Sequence, residues 1–83
     1  DGDQFAKAAR SVQKGLKKGG VKRPDQARLV LGMAYFNLGE YDKARRAFRD
    51  AGKDGRSAKY SKQWIAYVTS EEDRQRELEK DLF

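Results

Sequence analysis

Residues 28–51 of the chain read RLVLGMAYFNLGEYDKARRAFRDA, with small and large apolar residues at steps of three and four. Steps of this length place the apolar residues on one face of an α-helix. The run is interrupted once, at Gly39-Glu40, where a turn is expected. The pattern predicts two antiparallel helices that approach closely, because Gly32 and Ala44 leave room and large side chains such as Phe48 fill it.

The composition limits the class of protein. The chain has 83 residues, a net charge of +6 and nine aromatic residues, but neither cysteine nor histidine. A chain this short buries only about 60–65% of its unfolded surface, so it is one small domain or part of a larger one. Its aromatic residues and regular periodicity argue against disorder. The missing residue types exclude disulfides, zinc sites of Cys or His, and triads based on His.

Targeting signals are not visible. No apolar run approaches the roughly 20 residues that a membrane span needs, and no signal peptide is recognisable. The compartment is therefore left open, since a soluble cytoplasmic location and a bacterial periplasmic one are both compatible. Because the chain begins at Asp1 without methionine, we expect it to be a piece of a longer protein.

Three helices are predicted up to residue 51. An apolar stripe from Phe5 to Leu16 predicts a helix over 3–18, with Asp3 as N-cap and Gly19-Gly20 as its end. Pro24 opens a helix that runs to residue 38, since proline is tolerated in a first turn. The third helix covers 41–51.

The last part of the chain has two interpretations. A fourth helix begins at Ser57 and passes through Val68. Ser70 and the three acidic residues after it are typical of an N-cap and an acidic first turn. We therefore predict a break near Thr69-Ser70 and a fifth helix to Leu82. The alternative is one helix over 58–82, which would bring Glu72 and Gln75 into line with the apolar stripe. Either way the fold class is all-α, with four to five helices.

The central unit resembles the tetratricopeptide repeat. It has Leu31-Gly32 followed by Tyr35, and Ala44 followed by Phe48, which match the Leu-Gly-x2-Tyr and Ala-x3-Phe spacings of that family. Arg28 and Arg56 depart from the Trp and Pro often found there. The resemblance implies a right-handed array of antiparallel helical hairpins. The segment around Gly19-Gly20 and Pro24 is also similar to bacterial repeat proteins.

The resemblance also implies a division of the chain. Residues 1–83 form a single helical domain, in which 3–18 is the second helix of a preceding repeat. A full repeat covers 24–58, and 57–83 is a C-terminal capping segment of one or two helices. Because fewer than three repeats are marginal, we expect the parent protein to continue before Asp1.

The second helix carries two apolar faces, and the second one predicts a binding surface. Ala27, Leu31, Ala34, Tyr35 and Leu38 form the predicted core face, while Leu29, Met33 and Phe36 lie nearly opposite. In the family, that opposite face lines a concave groove for partner peptides. The resemblance therefore predicts a partner-binding groove formed by Gln26, Leu29, Met33, Phe36, Asn37, Tyr60, Gln63 and Tyr67. The alternative is that Leu29, Met33 and Phe36 only pack beneath the first or fourth helix.

Two further expectations concern this surface. Trp64 belongs to the core, because it leads the stripe that continues to Val68. The groove lacks the Lys and Asn pattern by which some family members clamp a terminal carboxylate. We therefore expect an internal or amphipathic peptide segment as its ligand.

Two basic clusters contribute to the positive charge. A possible patch for an anionic partner contains Lys14, Lys17, Lys18, Lys22 and Arg23. A second cluster contains Arg45, Arg46, Arg49, Lys53 and Arg56, among acidic residues that weaken its field. The alternative, which we favour, is that both clusters belong to a solvated outer face. No RNA-binding motif accompanies them, so nucleic acid is not the expected partner.

We found no catalytic constellation, no metal site and no requirement for a cofactor. The sequence predicts a non-enzymatic protein–protein interaction or scaffold module with a protein or peptide partner; self-association through the repeat ends is also left open. One alternative is a structural cap of a larger repeat protein. The other is a basic surface for nucleic acid or anionic lipid.

Overall fold

The chain folds into four α-helices joined by short turns, without any strand. In the computed structural model, which describes residues 1–83, the helices span Gly2–Lys18 (α1), Pro24–Asn37 (α2), Tyr41–Ala51 (α3) and Ala58–Leu82 (α4). A 3-10 turn at Gly55–Ser57 precedes α4. The all-α class is confirmed, and so are the first three helices, to within one residue at each end.

The two ends of α1 have different local causes. Its N-cap is Asp1 and not the predicted Asp3: the Asp1 Oδ1 atom accepts a hydrogen bond from the backbone N–H of Asp3 at 2.9 Å. Asp3 lies in the first turn, where its charge favours the positive helix end. At the other end Gly19 and Gly20 have φ angles of 83° and 79°. Only glycine adopts such angles without strain, so this pair ends the helix as predicted.

The α2–α3 hairpin has the close approach that the sequence predicted. Gly32 is buried, and a β-carbon added to it would lie 2.6–2.8 Å from three ring atoms of Phe48. Ala44 and Phe48 are completely buried on the facing side of α3. Any side chain at position 32 would therefore have to displace the Phe48 ring.

The predicted break near Thr69-Ser70 is wrong, since α4 is continuous from Ala58 to Leu82. The break was expected because an unbroken helix aligns Glu72 with the apolar stripe. In the structure the Glu72 carboxylate lies 3.0 Å from Arg45 Nη1, and the same guanidinium donates to Thr69 Oγ1 at 3.3 Å. Because α3 supplies a partner for this charge, the helix continues.

The core forms two apolar clusters on different sides of α2. The first joins α1, α2 and α3 and is built on Ala9, Leu31, Ala34 and Ala47. The second joins α3 to α4 and is built on Ala44, Phe48 and Val68. Leu29, Met33 and Phe36 of α2 pack against this second cluster and are half-buried. The double stripe of α2 therefore reflects burial on two sides.

A buried carboxylate joins the start of α2 to the start of α4. Asp25 accepts two hydrogen bonds from Arg23, at 2.9 and 2.7 Å, and one from the Ser57 hydroxyl at 2.7 Å. The hydrogen bonds from Arg23, followed by the one from Ser57, hold the pKa of Asp25 well below its usual range. Asp25 is therefore charged at neutral pH and links two parts of the chain that are distant in sequence.

Candidate functional site

Four aromatic side chains form a continuous row where α2 and α3 meet α4. The Phe36 ring lies 6.0 Å from that of Tyr41 and 5.3 Å from that of Tyr67, as measured between centroids. Tyr67 in turn meets Trp64 edge-on, at 5.9 Å and 83°. We call Tyr41, Phe36, Tyr67 and Trp64 the aromatic row. Aromatic pairs at these separations stabilise a structure by more than the burial of their apolar area alone.

The α4 part of the row is open to solvent. Gln63, Trp64 and Tyr67 line a shallow depression of about 340 Å³. Tyr67 is 49% exposed, and Tyr60, two turns earlier on the helix, is 57% exposed. The surface that these residues present to solvent is therefore mostly apolar.

Trp64 lies between the core and this surface. Its ring stacks on the buried Phe48 ring at 5.2 Å with only 8° between the planes. The side chain is half-buried, so it belongs to the core, as predicted, and also lines the depression. Trp64 was not among the groove residues predicted from the sequence. Its spacing to Tyr60 and Tyr67, at i−4 and i+3, is a signal that could have placed it on the same face.

The α2 part of the predicted groove is less accessible. Phe36 contacts Tyr67, but Leu29, Met33 and Phe36 are all half-buried against the second core cluster. Much of the surface of these three side chains is therefore buried beneath α4, as the alternative prediction stated. Gln26 is exposed at the start of α2. Val30, one turn further on, is a large exposed apolar residue that the sequence analysis missed.

Asn37 has a local role in the structure. Its side-chain amide donates a hydrogen bond to the backbone carbonyl of Met33 at 2.8 Å. This bond joins two residues of the last turn of α2, at positions i and i−4. The side-chain nitrogen of Asn37, which the sequence placed in the groove, is therefore engaged within α2.

The basic patch is only partly free. Lys14, Lys17, Lys18 and Lys22 are exposed and form no ion pair, whereas the Arg23 guanidinium is held by Asp25. A second open depression, of about 520 Å³, lies along α1. It is lined by Lys7, Arg10, Ser11, Gln13 and Lys14. Lys7 and Arg10 therefore extend the basic face beyond the predicted residues, because Arg10 lies one turn and Lys7 two turns before Lys14 on the same helix.

Most of the second basic cluster is neutralised. Arg45 contacts Asp42 at 2.6 Å and Glu72 at 3.0 Å, and these hydrogen bonds raise the pKa of Arg45 above its usual value. Arg56 pairs with Asp54 and Lys53 with Asp50. Only Arg46 and Arg49 lack an ion pair. The expectation that neighbouring acids weaken this cluster therefore agrees with the contacts.

Comparisons with known proteins do not identify the chain. No family model matches it, and neither a curated protein nor a solved structure matches it. None of the four helices has the length and apolar character to cross a membrane. No three acidic residues converge in a way that could hold a metal ion. The site is thus defined by the aromatic row and the charges around it.

Proposed function

We propose that the chain is a non-enzymatic interaction module that binds a protein or peptide segment along the aromatic row. In this proposal the four helices form a right-handed, tetratricopeptide-like array, in which α2 and α4 are the first helices of successive repeats. The groove between these two helices is the binding surface. The observation that carries the proposal is the 5.3 Å contact between Phe36 and Tyr67, because it joins the two predicted halves of the groove.

The exposed surface supports a particular kind of ligand. Tyr60 and Tyr67 expose about half of their side chains beside the depression at Trp64. Aromatic residues that combine a rigid apolar body with a polar tip are enriched where proteins bind one another. The ligand is an amphipathic helix or extended segment with apolar side chains at helical or alternate spacing. It contributes apolar anchors, since no cation of this chain lines the depression.

The single tryptophan allows a direct test. Trp64 lies in the proposed site, so binding of a peptide should change its fluorescence. Amphipathic peptides of about 15 residues, with leucine at every third or fourth position, are suitable probes of the helix-in-groove mode. We expect Met33→Glu and Tyr67→Ala to weaken the best binder by about tenfold or more, which corresponds to about 1.4 kcal/mol.

A matched control separates this surface from the basic one. The triple variant Lys17→Ala, Lys18→Ala and Lys22→Ala removes charge from exposed positions near the end of α1. It should bind the same peptide with unchanged affinity at physiological salt. Peptide binding that is equal in wild type and Met33→Glu, with both folded by circular dichroism, would contradict the proposed groove.

A second candidate function rests on the free lysines of α1. Lys14, Lys17 and Lys18 are exposed and form no ion pair. Lys14 also lines the open depression, together with Lys7 and Arg10. Such a face attracts nucleic acid or anionic lipid by counterion release. If it binds duplex DNA, the logarithm of the affinity should fall linearly with the logarithm of salt concentration. Each removed lysine should then reduce that slope by about one. Binding that does not depend on salt excludes this candidate.

A further inference from the structure

One side of α4 carries a stripe that continues beyond the aromatic row. Its members follow one another at steps of three or four residues, which is the spacing of a helix that pairs with another helix. They are Tyr60, Trp64, Tyr67, Glu71, Arg74, Leu78 and Leu82. The stripe is aromatic at its N-terminal end, charged in the middle and aliphatic at its C-terminal end.

The aliphatic end of the stripe has no partner within the chain. Leu78 is 47% exposed and Leu82 is 77% exposed. Along α4, Glu72 makes the last salt bridge to another helix, the one with Arg45. The ten helical residues after Glu72 extend the helix by about 15 Å at 1.5 Å per residue. We call residues 73–83 the projecting segment. It ends in exposed apolar side chains, and their contact with water is unfavourable.

We propose that a second copy of the chain covers this stripe, with the two α4 helices antiparallel. A two-fold axis between Glu71 and Arg74 places Tyr67 of one copy opposite Leu78 of the other. The same register brings Leu82 next to the depression at Trp64. Because a two-fold interface uses one surface twice, each aromatic end receives an aliphatic end, and Tyr67, Leu78 and the depression at Trp64 are covered in both copies.

The charges in the middle of the stripe fit the same register. Within one copy, the Arg74 Nη2 atom lies 2.8 Å from the Glu71 Oε2 atom. Around the two-fold axis, Glu71 of each copy faces Arg74 of the other, so that four charges alternate in sign. A parallel arrangement in register would instead place identical charges opposite one another. The central pairs therefore specify direction and register, as charged positions do in paired helices.

The distribution of charge along α4 also favours the antiparallel arrangement. The first half of the helix carries Lys59 and Lys62 and no acidic residue before Glu71. The segment 71–83 carries six acidic and three basic residues, a net charge of −3. In the proposed register residues 62–83 of the two helices overlap, so Lys62 of each copy lies near the acidic C-terminal end of the other. This favours association and makes it dependent on ionic strength.

The proposed dimer partly rests on the proposed function, because Trp64 and Tyr67 belong both to the peptide groove and to the surface between the two copies. The central ion pairs, however, lie outside the groove on α2. Substitutions at Glu71 and Arg74 therefore test self-association, whereas Met33→Glu tests peptide binding. The two proposals can fail separately.

Charge reversal gives a specific test of the register. Sedimentation equilibrium of the wild-type chain should show a monomer–dimer equilibrium at concentrations up to about 1 mM, the weak end of measurable affinity. Glu71→Arg alone and Arg74→Glu alone should each weaken association by about tenfold or more, because like charges then face each other. An equimolar mixture of these two variants should form a heterodimer, since every pair across the axis is again opposite in sign. The double variant Glu71→Arg/Arg74→Glu should recover the homodimer.

The outcomes are decisive in both directions. Circular dichroism first confirms that each variant keeps its helices. A wild-type chain that stays monomeric, or a Glu71→Arg variant that dimerises as wild type does, overturns the antiparallel pairing. If peptide binding still depends on Met33 in that case, the groove stands and only the partner named here is wrong. Peptide binding is then measured on the monomeric Glu71→Arg variant, whose groove no second copy covers. If the wild type dimerises but this variant binds none of the amphipathic peptides, the peptide groove is wrong and self-association stands.

Discussion

The α2–α3 hairpin and the C-terminal half of α4 are both helical, but different forces hold them. The hairpin closes around Gly32 and the buried Phe48 ring, so it depends on shape. The segment 73–83 is exposed and carries ion pairs between residues three or four apart. Steric packing in a core is worth several kcal/mol per large side chain, while exposed ion pairs are worth about 0–1 kcal/mol. The hairpin should therefore be the most stable part of the molecule, and the end of α4 the least.

Removal of the Phe48 ring should have the largest effect on this difference. Phe48 is completely buried and stacks on Trp64, so Phe48→Ala leaves a cavity between α2, α3 and α4. We expect a loss of about 3–5 kcal/mol in the free energy of unfolding, measured by urea denaturation with circular dichroism. Leu82→Ala, at the exposed end of α4, should change it by less than about 0.5 kcal/mol. Equal losses of unfolding free energy in Phe48→Ala and Leu82→Ala would show that the hairpin and the end of α4 contribute equally to stability.

Enlargement of position 32 should have the next largest effect. Gly32→Ala improves helix propensity by about 1 kcal/mol, but its β-carbon would lie 2.6 Å from Phe48 Cε1. We expect net destabilisation of about 1–3 kcal/mol, because overpacking forces the ring to move. Gly55→Ala is the control, since a β-carbon there meets nothing within 4 Å. A stabilised Gly32→Ala variant would contradict the close packing of the hairpin.

The link at Asp25 should make stability depend on pH. The pKa of Asp25 is lowered in the folded chain, chiefly by the hydrogen bond from Arg23. The contribution of the charged Asp25 to stability is therefore complete at pH values above its pKa in the unfolded chain, about 3.9. It is lost as the pH falls below that value. We expect the urea midpoint of the wild type to fall steeply between about pH 4.5 and pH 2. Asp25→Asn should be less stable at pH 7 and should lose less over that interval; an identical pH profile would argue against this assignment.

The smallest effect should come from the salt bridge that precedes the projecting segment. Glu72→Gln removes a charge that lies 3.0 Å from Arg45. The loss should be about 1 kcal/mol, because glutamine keeps an acceptor oxygen and Arg45 keeps its contact with Asp42. Because the hairpin does not depend on this contact, the loss should be local. Hydrogen exchange should become faster for the amides after Glu72 and stay unchanged for those of α3. Faster exchange throughout the molecule would show that the two regions unfold together.

The sequence predicted the elements of the fold better than the site. Periodicity and small residues are local signals, and they placed the first three helices within one residue of their ends. The groove was harder to predict, because the spacing of a residue such as Met33 along the helix is the same whether its side chain faces a ligand or a neighbouring helix. Asn37 was assigned to a partner, whereas its amide bonds to the carbonyl of Met33.

The sequence by itself determined what depends on neighbours along the chain: the helical class, the glycine turn that ends α1, and the small residues around which the hairpin closes. Tertiary structure decided the continuity of α4 and the placement of Trp64 between core and surface. The physical reason is that a charge such as Glu72 is tolerated in line with an apolar stripe only if another helix provides its partner. Arg45 provides it from α3, and no pattern within α4 could reveal that contact.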